Sequence, residues 1–187
     1  MKDTRIWRAL RILGLLALAV SIGARAQSPS PMHLSGLISD YTPETINGSV
    51  VGPWEIRGEW SLNLQGDSST ANFSAYVAME RSDYWIVLNT GNVDNPAART
   101  PHTHHIALVG GTVTPITGGF KVTGGTLTIT GNGSATFPNS ALEVDITGGN
   151  TVARSNIVLK FTGDAAGHFG GQAIHGVVAF DAPPPGN

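Results

Sequence analysis

Three of the chain's six histidines fall within four consecutive positions, in PHTHHI at 101–106. In a β-strand, residues two apart share a face with Cβ atoms about 6.6 Å apart. His102 and His104 can therefore converge on one ion, while His105 points the other way. Neutral imidazole suits zinc, copper, nickel or iron; the cofactor is left unknown, with a divalent transition metal such as zinc as the candidate. A catalytic site would need a third protein ligand and an open position. His175, in QAIHGVV, is the expected third donor; His168, in GHFGG, or a carboxylate can take its place, with Glu80, Asp83 and Asp94 nearest in sequence. The competing reading is a polar strand start after the loop NTGNVDNPAARTP at 89–101, its histidines solvated or hydrogen-bonded. His175, between apolar neighbours, can likewise be a core residue with a hydrogen-bond partner.

ERSDYW, at 80–85, is the second concentration of polar chemistry. A turn with an Arg81–carboxylate pair explains it simply. A sugar-binding rim is the alternative, with Tyr84 and Trp85 stacking on a ring and the carboxylates accepting its hydroxyls. Glycoside hydrolysis would require a carboxylate separation that sequence spacing does not define. No G-x-S-x-G, Walker loop or H-E-x-x-H occurs, and there is no cysteine. No catalytic residue is therefore assigned, and the case for an enzyme rests on the histidines alone.

These residues must be positioned by strands. Trp54, Ile56, Trp60, Leu62 and Leu64 alternate with polar Glu55, Arg57, Glu59, Ser61 and Asn63, the period of a half-buried strand. Gly58 interrupts the apolar side as a bulge or a point of close approach. The same period recurs at Phe73, Ala75, Val77 and Met79. Further short strands are predicted over 84–88, 102–109, 120–122, 127–129, 141–146, 156–161 and 174–180. Gly-Gly and Asn-Gly turns separate most of them. No capped helical periodicity follows residue 26. The expectation is an all-β antiparallel barrel or two-layer sandwich of about nine short strands in one domain. Trp54, Ile56, Trp60, Leu62, Phe73, Val77, Val144, Ile146, Ile157, Leu159, Val178 and Phe180 should be largely buried.

Residues 1–26 read as a signal peptide: basic residues precede an apolar run too short to span a bilayer, and Ala24 and Ala26 form an A-x-A cleavage site. Residues 27–50, rich in Ser and Pro, read as an irregular lead-in; 51–181 form the β domain and 182–187 a Pro-rich tail. Without the signal segment the net charge moves from −2 to −6. The six remaining basic residues are scattered, which excludes a nucleic-acid surface. No second long apolar run occurs, so no transmembrane segment is expected in the mature chain. A membrane barrel is set aside because many strands are short and aromatics are few.

The blocks GPWEIRGEWSL, MERSDYW, RTPHTHHI and HFGGQAIHGVV together resemble an uncharacterised family of bacterial exported β-rich proteins, over most of the mature chain. The resemblance implies export to the periplasm or beyond and an all-β fold, and supplies no functional residue. The leading expectation is a non-catalytic binding or envelope protein with a metal-binding His cluster. The alternatives are a metal-dependent barrel enzyme, an oxygenase or isomerase using His102 and His104, and a carbohydrate-binding module. The partner is left unknown, with a small molecule or a glycan as the candidates.

Overall fold

Alternating apolar and polar residues can bury one face only if the strands curl around a shared interior. A computed structural model describes residues 32–46, 49–81, 101–148 and 156–179. Its strands are β1 (His33–Ile46), β2 (Ser49–Leu64), β3 (Thr70–Arg81), β4 (His102–Ile116), β5 (Gly119–Thr123), β6 (Thr126–Gly131), β7 (Ser134–Thr136), β8 (Ser140–Thr147), β9 (Asn156–Gly163) and β10 (Ile174–Val178). A five-residue helix, α1 (Asp164–His168), follows β9 directly. The expected signal segment, the strand at 84–88 and the tail lie outside the described residues, as does Phe180.

The strands pair antiparallel in the order β3-β2-β1-β10-β9-β8-β5-β4, and β3 pairs with β4 to close the ring. Eight strands thus form a closed barrel, and the β6–β7 hairpin adds to the first half of β4. This resolves the choice between barrel and sandwich. β4 pairs with β6 over His104–Val109 and with β5 over Thr112–Ile116. The change of partner falls at Gly110, which has φ 69°, a conformation open chiefly to glycine. The Gly110 amide donates to Asn72 Oδ1 at 2.8 Å, across the β3–β4 irregularity between Ala71 and Phe73.

The interior is apolar. Every one of the expected core positions that is described is buried, joined by Ile38, Met79, Ile106, Leu108 and Phe169. The outer wall carries polar side chains such as Arg57, Glu59 and Lys160, the last bonded to Glu143 and Asp145. A polar outside around an apolar inside is the reverse of the arrangement by which a β-barrel sits in lipid. Among the described residues no helix is long and apolar enough to cross a membrane.

One expectation changes, and the choice at Gly58 is decided. The lead-in contains β1, a wall strand between β2 and β10. Its alternation is blurred because Leu37 and Tyr41 face outward and are more than half exposed. Pro43, which lacks an N–H for the ladder, falls at the register shift between Thr42 and Glu44. Gly58 forms no bulge, since the ladder runs unbroken through Ile38–Gly58–Val77. A Cβ there would lie 1.9 Å from the Tyr76 carbonyl oxygen, so the residue permits close strand approach.

Trp60, 2% exposed and donating through Nε1 to the Val177 carbonyl, joins the core to the β1–β10 side of the wall. Trp60→Ala is expected to lower unfolding free energy by about 3–5 kcal/mol, and Gly58→Ala to destabilise through backbone displacement. Urea titrations with both variants near wild-type stability would refute this account of the core.

Candidate metal centre

Strand parity decides what the His cluster does. In β4, His104 is buried and His102 half-buried on the interior face that also carries Ile106 and Leu108. His105 faces outward, as its parity requires, and stacks on Tyr76 at 4.2 Å with Nε2 3.0 Å from Ser74 Oγ. The β3–β4 register opposes His102 to Met79 and His104 to Val77. Both imidazoles therefore sit inside one end of the barrel, above the packed core.

The third ring nitrogen in reach belongs to His168, the last residue of α1. Its Nε2 lies 2.9 Å from His104 Nε2 and 3.2 Å from His102 Nε2. All three candidate ligand atoms fall within 4.8 Å of one another. Tetrahedral coordination with metal–nitrogen bonds of 2.0–2.1 Å places ligand nitrogens roughly 3.3 Å apart. The two closest contacts lie near that spacing.

His175, the expected third donor, is elsewhere. It lies on the outward face of β10, between inward Ile174 and the half-buried Gly176, with Nδ1 2.9 Å from Asp40 Oδ2. The interior positions of β10 go to apolar side chains, so the histidine with apolar neighbours is turned out to a carboxylate. Glu80 is outward and exposed, while Asp83 and Asp94 lie outside the described residues. The three donors the barrel brings together are thus His102, His104 and His168, without His175.

α1 holds His168 in place through its own anchors. Asp164 accepts from the Asn139 side-chain amide at 3.1 Å, and the Ala165 amide donates to Ser140 Oγ at 2.9 Å. Phe169, 1% exposed, stacks on Phe161 at 4.4 Å, and the Thr42 hydroxyl donates to its carbonyl. A five-residue helix leaves no periodicity to read. The only sequence signal was a histidine beside a buried-type aromatic in GHFGG.

His104 has a defined tautomer. Its Nδ1 lies 2.9 Å from the Thr130 carbonyl, which can only accept, so Nδ1 carries the hydrogen and Nε2 presents a lone pair toward His168. Metal-ligating histidines are commonly oriented this way, by donation from the second nitrogen to a backbone carbonyl. The cluster is ringed by aromatics: Trp54 meets His102 edge to face at 5.3 Å, Phe169 lies 5.3 Å from His104, and Phe137 lies 5.0 Å from His168. Phe137 has φ 54°, costly for a bulky residue and of order 1–3 kcal/mol. The strained backbone keeps its ring beside His104 and His168.

Burial, then the neighbouring His168, push the His104 pKa down from 6.5 to about 4, against the Thr130 hydrogen bond. The ring is therefore neutral and ready to ligate through the physiological range. A tetrahedral ion held by three imidazoles would keep one position for water or another ligand.

No protein-family model matches this chain, and no curated protein or solved structure is measurably similar to it. The functional reading therefore rests on the site itself.

The lowered His104 pKa has a stability consequence in the metal-free protein. Below pH 6.5 the unfolded chain takes up a proton here that the folded chain refuses until about pH 4. The His104 contribution to stability is thus fully present above that window, declines as pH falls through it and is constant below it. Thermal melts of chelator-treated protein between pH 7.5 and 4 should show a shallower decline for His104→Gln than for wild type. Parallel declines would remove His104 as the cause.

Proposed function

We propose that the protein is an exported metal-binding barrel, holding a divalent transition metal, zinc foremost, at His102, His104 and His168. The observation that carries this reading is the convergence of three imidazole Nε2 atoms in a buried aromatic mouth, 2.9 and 3.2 Å apart at the two closest contacts. A lone pair on His104 Nε2 faces His168, and a single proton between ring nitrogens serves one of those contacts well; a cation serves all three. Export to the periplasm or the cell exterior is part of the proposal, supported by the basic and apolar character of residues 1–26.

The apolar lining of the described interior below the histidines, with Val77, Ile106 and Leu108 buried, supports a binding protein. A second reading, a small metal-dependent enzyme such as an oxygenase or isomerase working at the barrel mouth, is favoured by the open fourth position. On either reading the protein's part is to orient three neutral ligands, fix the His104 tautomer through Thr130 and exclude bulk water with Trp54, Phe137 and Phe169.

The test is metal content of untagged protein after chelation, reloading and dialysis. Wild type and His175→Ala should retain about one zinc per chain, while His104→Ala and His168→Ala should be substoichiometric. Substoichiometric zinc in wild type, or equal loss in His175→Ala, would sink the assignment.

A further inference from the structure

The outer wall carries a groove that the metal reading does not use. Across β1, β2, β3 and β4, the rung Ile38–Gly58–Val77–His104 turns three buried side chains inward, and Gly58 has none. The residues to either side along each strand have the opposite parity and face outward. One row carries Leu37, Glu59 and Tyr76, and the next carries Ser39, Arg57 and Thr103, all six exposed. Together these rows line an open cavity of about 690 Å³. Small-ligand sites span about 300–1,000 Å³.

Tyr76 gives this groove an aromatic platform. Its ring is 58% exposed and lies nearly parallel to His105, at an interplanar angle of 10°. His105 is held in turn by Ser74 Oγ. The tyrosine is therefore braced before any ligand arrives, which lowers the ordering cost of binding. The polar groups around it both donate and accept. Glu59 accepts, Arg57 donates while paired with Glu55, and the hydroxyls of Ser39 and Thr103 can do either. Because Glu59 and Arg57 stand on opposite walls, a ligand charged along its length meets a like charge on one of them. A wholly apolar ligand would strip water from both without replacing it. A neutral ring with an apolar C–H face and a rim of hydroxyls meets the platform and the polar walls together.

We propose that the groove across β1–β4 binds a neutral oligosaccharide, with one pyranose ring laid against Tyr76 and its hydroxyls bonded to Glu59, Arg57, Ser39 and Thr103. The His102 and His104 side chains lie on the other side of the sheet, so this binding stands apart from the metal reading and does not require an ion.

Calorimetric titration of chelator-treated protein tests this. The neutral probes are cellohexaose, laminarihexaose, maltohexaose and chitohexaose; the charged ones are hexagalacturonate and fully deacetylated chitosan hexamer. At least one neutral probe should bind saturably and more tightly than either charged one. Tyr76→Ala should weaken it about tenfold or more, and Tyr76→Phe, which keeps the platform, less than about twofold. Glu59→Ala should weaken it about fivefold. All three positions face outward, and thermal melts close to that of wild type confirm that each variant folds. Should Tyr76→Ala melt early, Glu59→Ala decides the matter. Failure of every neutral probe to bind overturns the proposal, as does tighter binding of a charged one or affinity unchanged in a folded Tyr76→Ala. Binding that appears only after zinc is restored also overturns it, by moving the sugar to the metal centre. The metal reading is judged separately, by zinc content.

Discussion

The pairing of β3 with β4 closes the barrel, and the same register sends two imidazoles inside it. Opposing Met79 to His102 and Val77 to His104 leaves no freedom in the matter, because a slip of one residue would turn His105 inward and expose Ile106 and Leu108 to water. The apolar residues farther along β4 therefore select the face on which the histidines lie. Their burial depends on the core, and the core depends on closure.

Polar rings placed inside must find partners, and the surrounding elements supply them in a consistent order. β6 runs beside the first half of β4 and offers the Thr130 carbonyl to His104. That pairing is available because Gly110 lets β4 leave β6 and continue along β5. α1 then brings His168 across the mouth, fastened by Phe169, which is itself part of the core. The strained Phe137 backbone fits this pattern: a cost at one residue is offset by the packing that holds its ring beside two histidines.

The wall of the barrel was readable from sequence where one face is apolar and the other polar. β2 and β3 have clean period-two alternation, and their inward residues are those expected. β1 escaped because Leu37 and Tyr41 place apolar side chains outside and Pro43 interrupts the run, so local pattern competed with a tertiary role as a wall strand. The shared face of His102 and His104 followed from parity alone. The third donor did not, because it depends on which of two distant histidines the chain folds across the mouth. His175 sits in a strand whose inward positions are taken by Ile174 and Val178, and His168 sits on a helix of five residues, too short for any periodic signal.

The location of the donors has a mechanical meaning. α1 packs against β1, β8 and β9, whereas His102 and His104 belong to β4, three strands from β9 around one side of the ring and five around the other. Sheet hydrogen bonds join β4 to that part of the wall only through β5 and β8 or through β3, β2, β1 and β10. Any ligand gripped by both α1 and β4 spans the mouth directly, so its binding free energy adds to the stability of closure by linkage. The donors come from the wall on one side and from the element that covers the core on the other. Occupancy of the site and order at this end of the barrel are consequently coupled, and weakening the Phe169 anchor would loosen ligand binding without touching a histidine.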